Sequence, residues 1–573
     1  MMAVGVRWIG GPFFGFMNIG RGGMKRRRGT ESSRRRKTPG GGKNGPPSRR
    51  TTTTSRAARS QPRELLQQAM QHHLSGRLET ARTIYEQILS MGSDEPELRF
   101  NLGQCLVQLD RADDAIPHLE RAAEITPHRA GYLTALANAC SVASKFDRAL
   151  EIGKRAALLN PKDDVAHYLV AYSLEQLGPA ESALGTIQTA LEVVPESGRL
   201  RVLRAHLLGR SGRRDEAIHH LRTLLETDST SGSINRSGAL HELAMLLDKT
   251  GQYDEAFEAF RQCGEETRRS PTAANFNREV RFRRIRSFRA SVTRELLEPN
   301  ASTQGVGDGP TELSHTPRPA FLIGFPRSGT TMTEQILAAH PDIETGDEWP
   351  LITTLGNAAV KMVGGQTSPA GMLTRLTKSN IGELRNLYWN EVQKYLDHVE
   401  TTAVFVDKMP LNLIDLPLIN IVFPEAKIVM AIRDPRDVCL SCFMQDFRLN
   451  NSMIHFLSIA DSAEFYESVM DLYLHLRTIV TIDVLEVRYE DTVANLERQG
   501  KRLLEHLGVE WNDDILAFHQ KAKKRMISTP SAAAVREPVH NRAVARWKNY
   551  EEYLKPVMPR LQRFISEFGY DVQ

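Results

Sequence analysis

Two hydrophobic patterns divide the chain. Between residues 62 and 270, small residues return every 34 positions: Ala69, Gly103, Ala137, Ala171 and Ala205 in one series, Ala81, Ala115, Ala149, Ala183 and Ala217 in a second. Pro127, Pro161 and Pro195 keep the same period. That length suits a helix–turn–helix unit, with small residues where two helices cross closely and a proline that stops the second helix. The register slips by five residues through "STSGSINRSG" and resumes at Ala244 and Ala256. From residue 320 the pattern changes. Short apolar runs, "AFLIGF" (320–325), "AVFVD" (403–407), "KIVMAI" (427–432) and "DVLEVR" (483–488), alternate with helical stretches. They predict buried parallel strands in an α/β layered domain, with ligands at the carboxyl ends of the strands. Between the two patterns, "NREVRFRRIRSFRASVTRELL" (277–297) predicts a basic helix that packs through Val280, Phe282, Ile285 and Phe288 with its arginine stems along the surface. "PNASTQGVGDGPTELSHTPRP" then reads as a linker.

The 34-residue unit resembles the tetratricopeptide repeat, in about six copies. The resemblance implies stacked helix pairs whose concave groove holds a peptide or protein partner; an array that only buttresses its neighbour is the alternative. The expected organisation is a basic disordered leader (1–61), the repeats (62–270), a connecting helix and linker (271–317) and the α/β domain (318–573).

Charge is unevenly placed along the 573 residues. Residues 21–63 hold fifteen Lys/Arg against one acid, Glu31; with the whole chain at +5 and Arg7 outside that stretch, residues 64–573 are net −10. An acidic folded part argues against a specific nucleic-acid partner, and the leader reads as a solvated tail or an arm for anions. The apolar start "MMAVGVRWIGGPFFGFMNIG" is broken by glycines and carries its positive charge mostly behind it, unlike a signal peptide; Met24 is an alternative start. No apolar run approaches about 18 residues, the length of a membrane span. Five cysteines, Cys105, Cys140, Cys263, Cys439 and Cys442, make no disulfide framework and suit a reducing, cytoplasmic compartment. Cys439 and Cys442 form a lone CxxC, expected as a packed helix face.

The candidate chemistry centres on "FLIGFPRSGTTMTEQIL" (321–337), a strand, a glycine-bearing turn and a helix. Such a turn offers backbone N–H groups and a helix N-terminus to an anion. Ser328, Thr330 and Thr331 add hydroxyls and Arg327 a guanidinium. The spacing of Gly324, Gly329 and Thr331 follows the nucleotide-binding loop, but Thr330 stands where that loop has its lysine. A loop without the cation for a γ-phosphate fits a donor without one. A kinase or NTPase with Asp407 on Mg²⁺ is the rival reading, and an inactive transferase domain on a repeat scaffold is another.

This stretch, continued as "PRSGTTMTEQILAAHPDIETGDE", is similar to the 5′-phosphosulfate signature of sulfotransferases that use 3′-phosphoadenylyl sulfate. Joined to the repeats, it resembles bacterial tetratricopeptide–sulfotransferases and the tyrosylprotein sulfotransferases. The implied fold is an α solenoid plus an α/β P-loop-like sulfotransferase domain with a central parallel sheet. The implied donor is 3′-phosphoadenylyl sulfate, held by Arg327, Ser328, Gly329, Thr330 and Thr331 without a metal. In "KIVMAIRDPRDVCLSCF" (427–443), Asp434 reads as a helix cap with Pro435 at the first position, and Asp437 and Ser441 share a helix face. By resemblance Arg433 and Ser441 are 3′-phosphate ligands. Glu348, in "TGDE", stands where tyrosylprotein enzymes carry their base, with Asp347 before it; His340 is read as structural. Lys408, in "DKMP", and Ser531 match residues that stabilise the transferred group, together with Arg327. Tyr489 and Arg546 match nucleotide-side positions, and Arg536 is a further candidate for the donor. The acceptor is expected to be a peptide, a protein or a glycan, and homodimerisation stays open.

Overall fold

The computed structural model describes residues 54–109, 111–227, 233–298, 317–365, 367–396, 402–525, 529 and 532–571. The chain divides into two compact units.

The first takes in described residues up to Pro179, with 185–195. It is built of antiparallel helix hairpins, Pro96–Gln108 with Ala112–Ile125 and Ala130–Val142 with Phe146–Leu159 among them. Ala69, Ala81, Ala115, Ala137, Ala149 and Ala171 are all fully buried, as closely crossing helices require. Pro127 and Pro161 follow helices that end at Ile125 and Leu159.

The second unit runs from Glu196 onward, with 180–184. It opens on two more hairpins, Gly198–Arg210 with Arg214–Thr227 and Ser233–Lys249 with Tyr253–Arg269. Ala205, Ala217, Ala244 and Ala256 are fully buried. The register slip is absorbed largely by length: Ser233–Lys249 has 17 residues where Gly198–Arg210 has 13. The basic helix forms at Glu279–Ser291 and buries Phe282, Ile285 and Phe288, whereas Val280 stays exposed. Arg278, just before this helix, pairs with Asp461 and Glu464, Arg284 pairs with Asp415, and Arg281 donates to the Ser452 hydroxyl.

The core is a five-stranded parallel sheet, β1 (Arg318–Gly324), β2 (Ile343–Asp347), β3 (Val404–Lys408), β4 (Lys427–Ile432) and β5 (Asp483–Arg488), in the order β2-β3-β1-β4-β5. All but β2 match the apolar runs read from the sequence. β2 has the sequence IETGD and only partial burial, and pairing to β3 makes it a strand. From β1 the chain passes to β2 and β3 on one side and then crosses over to β4 and β5 on the other. The crevice at the carboxyl end of β1 is therefore the switch point where such sheets bind ligands. Among the described residues no helix is long and apolar enough to cross a membrane.

The last repeat hairpin is seated on this sheet domain. Phe257 stacks on Tyr553 at 4.1 Å and packs against Phe443 at 5.2 Å. Gly264 lies so close to the backbone of Leu457 that an added Cβ would collide with its carbonyl oxygen. Gly264→Ala should therefore cost about 2 kcal/mol through overpacking. Gly382→Ala, at a helical position with nothing near the new Cβ, should stabilise by about 0.5–1 kcal/mol through reduced backbone entropy. Denaturant midpoints of the two variants should move in opposite directions.

Candidate active site

The turn after β1 is held from below. Phe325 is fully buried among the rings of Phe456, Phe465 and Tyr466. The Pro326 carbonyl accepts from the Cys442 thiol. Arg327 has φ +70° and Gly329 φ +97°. Two left-handed residues close the turn, and only the second is a glycine. A Cβ at Gly329 would also lie 2.7 Å from the Tyr489 ring, so the glycine serves both conformation and contact. The helix Thr330–Leu337 follows directly. Ser328, Thr330 and Thr331 are buried at its start, and Thr331 shares a hydrogen bond of 3.0 Å with Thr529.

One flank of the turn is cationic. Arg327 donates to the Ser441 hydroxyl at 3.0 Å. Arg433 donates to the Arg327 carbonyl at 3.1 Å and to the Ala543 carbonyl, and its guanidinium lies 4.9 Å from the centre of the Tyr489 ring. The Arg433 Nε is buried with no hydrogen-bond partner. Burial, then repulsion from Arg433 and Arg546, lowers the Arg327 pKa to about 10. Arg327, Ser441, Arg433, Tyr489 and Arg546 are thus gathered on one side.

Asp434 caps the helix Pro435–Phe443, accepting from the Arg436 N–H at 2.9 Å. Asp437 does something the sequence did not signal. It accepts from the backbone N–H groups of Ala545 and Trp547, each at 2.8 Å, and so pins the segment that carries Arg546.

The other flank is acidic around a single cation. Lys408, at the end of β3, is fully buried, and its ammonium meets Asp347 at 2.9 Å, Glu348 at 3.0 Å and Glu334 at 3.2 Å. Burial opposes its charge, but Glu348, Glu334 and Asp347 together outweigh burial and raise its pKa. Glu334, on the loop helix, is the residue that sequence reasoning missed; in "TTMTEQIL" it reads as an ordinary polar helix position. Burial first, and Asp347 next, push its carboxyl up to about 7. Glu348 is held at φ +56°, with its N–H donating to the Lys408 carbonyl at 2.9 Å. Its side chain is 38% exposed, against 21% for Asp347 and 1% for Glu334, so Glu348 is the most accessible carboxylate of this group.

Other candidates lie outside these clusters. His340 spends both ring nitrogens on the backbone, at the Glu510 carbonyl and the Asp342 N–H. Arg536 donates to the carbonyls of Ala522 and Arg525. Cys439 and Cys442 are buried, and burial pushes both thiols up, away from thiolate chemistry. Asp407 is buried and accepts from the Tyr388 hydroxyl at 3.3 Å; as the strand neighbour of Lys408, it points to the opposite face of the sheet. Ser531 lies outside the described residues.

A central parallel sheet with a glycine-bearing turn and a helix N-terminus at its switch point is an architecture shared by α/β domains that bind nucleotides. Residues 319–513 match the family model described as the sulfotransferase family, and residues 64–139 and 237–265 match tetratricopeptide repeat models. The sheet region is thus a sulfotransferase-family domain on a chain that also carries tetratricopeptide repeats. An uncharacterized protein of Aquifex aeolicus is 29% identical over 365 residues, covering 61% of this chain and 44% of that protein. Protein-tyrosine sulfotransferase 1 of Danio rerio is 26% identical over 238 residues, covering 40% of this chain and 64% of that enzyme. Among solved structures, the sulfotransferase domain of a Synechococcus olefin synthase aligns with 45% of this chain and 97% of its own, at 20% identity and a TM-score of 0.33.

The Asp407 carboxyl yields a prediction. Burial raises its pKa from 3.8 to about 7, so the folded state keeps this proton where the unfolded chain has lost it. Its contribution to stability then falls as pH rises between those values and stays low above them. Asp407→Asn keeps an acceptor for Tyr388 and removes the ionisation. Its melting temperature should exceed the wild type at about pH 8 and converge with it at about pH 4.

Proposed function

We propose that the chain is a sulfotransferase that moves a sulfuryl group from 3′-phosphoadenylyl sulfate to an acceptor hydroxyl. The observation that carries this reading is the lysine-free turn beside three guanidiniums, one of which keeps a buried Nε without a partner. Buried donors are nearly always satisfied, and a dianionic phosphate is the group that would satisfy this one while relieving the repulsion around it. The Thr330 hydroxyl in place of a lysine fits a group of lower charge than a γ-phosphate. Ser328 to Thr331 would hold the 5′-phosphosulfate, and Arg433, Ser441 and Arg546 the 3′-phosphate, with Tyr489 beside them. Ser531 is assigned to the transferred group by resemblance.

The donor supplies an activated S–O bond. Glu348 takes the acceptor proton; the acceptor oxygen bonds to sulfur, and the S–O bond to the 5′-phosphate breaks with its electron pair going to that phosphate. Lys408 and Glu348 are coupled in this step. While Glu348 is ionised, it helps hold the ammonium at 3.0 Å. On gaining a proton it loses that charge, and Lys408 becomes free to answer the charge growing on the leaving group. Arg327, within the turn that would hold the 5′-phosphosulfate, shares this work. No residue in this scheme needs a metal. The acceptor is a tyrosyl peptide, another protein or a glycan, and the repeats offer a surface for a protein partner.

Calorimetry should show 3′,5′-ADP binding without Mg²⁺, with ADP and ATP much weaker. Arg433→Ala should weaken 3′,5′-ADP at least about tenfold, in line with the loss of charge-assisted hydrogen bonds. Tight Mg²⁺-dependent ATP binding that ignores the 3′-phosphate would falsify the reading. Glu348→Gln should keep donor-product affinity while turnover falls about 10²–10⁴-fold; undiminished turnover would remove Glu348 as the base. Mass spectrometry of cell extract incubated with labelled donor identifies the acceptor.

A further inference from the structure

The last tetratricopeptide hairpin reaches into the transferase domain with one carboxylate. Asp248 is the second-last residue of the helix Ser233–Lys249. One of its oxygens accepts from the Arg546 guanidinium at 2.6 Å, the other from the Tyr550 hydroxyl at 2.7 Å. Its side chain is only 11% exposed. A carboxylate at a helix C-terminus opposes the helix dipole, so this position disfavours an acid unless a partner compensates for it. The partner is the arginine whose charge is felt at Arg327 in the donor turn.

The seam around this contact is built, not incidental. Tyr253 and Phe257 pack their rings on Tyr550, and Tyr553 donates to Asp254 at 2.9 Å. Phe257 and Phe260 also pack on Phe443, the last residue of the helix that carries Ser441. His241 hydrogen-bonds the Met444 carbonyl at 3.2 Å. Arg546 is therefore held at two points. Asp437 fixes its backbone neighbours Ala545 and Trp547 from within the transferase domain, and Asp248 fixes its guanidinium from the repeat.

We propose that Asp248 is a positioning residue for donor binding, supplied by the repeat region, which orients Arg546 toward the 3′-phosphate. The repeat hairpin is then part of the donor site and not solely a partner-binding module. This inference rests on the proposed sulfotransferase reading and adds to it a residue that touches neither donor nor acceptor. Bare electrostatics predicts the opposite effect of the same residue: taking a carboxylate away from a cationic site should tighten the binding of an anion. Positioning predicts that it loosens, because an arginine released from its clamp must be ordered again on binding. The sign of the change separates the two.

The test is calorimetric titration of the full chain with 3′,5′-ADP and with 5′-AMP. Asp248→Ala should weaken 3′,5′-ADP about tenfold and leave 5′-AMP unchanged. Asp248→Asn, which is isosteric and secures folding, keeps a neutral acceptor and should weaken 3′,5′-ADP about threefold, since bonds to an ionised acceptor are roughly twice as strong. Both effects should vanish when Arg546 is already alanine. In kinetics the loss should fall on the KM for the donor with kcat held. Unchanged or tighter 3′,5′-ADP binding in both variants, equal losses for both nucleotides, or a loss that persists beside Arg546→Ala would overturn the inference alone. A wild-type chain that gains nothing from the 3′-phosphate would overturn the functional reading and this inference together.

Discussion

Like charges crowd the turn after β1, and much of the domain is arranged around that fact. Arg327 is pressed by Arg433 and Arg546 in a partly dry environment, where repulsion is poorly screened. The fold answers with neutral and anionic partners placed one at a time: the Ser441 hydroxyl, the carbonyls of Arg327 and Ala543, the face of the Tyr489 ring, and the carboxylates of Asp437 and Asp248. Each restrains a guanidinium without neutralising the group as a whole. The surplus of donors gives an anion a reason to bind there. The left-handed backbone at Arg327 and Gly329 is the cost of folding a turn tightly enough to keep those donors in reach.

The strand order separates this cationic flank from the acidic one. β3 lies on one side of β1 and β4 on the other. The ammonium of Lys408 and its three carboxylates therefore sit across the turn from Arg433. The acidic and the cationic cluster are thus kept one strand apart at the carboxyl ends of the parallel strands. Within the acidic flank, burial sets the hierarchy. Glu334 is sealed in and its charge is disfavoured, whereas Glu348 is the most exposed of the three. One cation shared by three acids is then poised to change partner when any one of them takes a proton.

The second compact unit joins repeat helices and sheet domain through aromatic packing and a half-buried Asp248–Arg546 pair. A pair of this kind depends on geometry for its value, since both ions give up hydration to form it. The rings around Tyr550 supply that geometry, and they leave little freedom for the hairpin to move independently of the helix that carries Ser441.

The sequence by itself determined the period of the repeats, because burial of small residues at helix crossings must recur with the structure. It determined β1, β3 and β4, whose apolar runs are long enough to mark a strand buried on both faces, and β5, a less buried edge strand. It also determined the turn and its missing lysine and the Asp434 cap, both of which are local. Only the tertiary structure decided β2, whose polar sequence becomes a strand through pairing with β3. It alone showed that Glu334 joins Lys408, that Asp437 holds residues more than a hundred positions later, and that Asp248 clasps Arg546 from a repeat helix. The physical reason is the same in each case. Periodicity in a sequence records which positions leave water, whereas the partner a buried charge finds there is fixed by how separate elements are brought together.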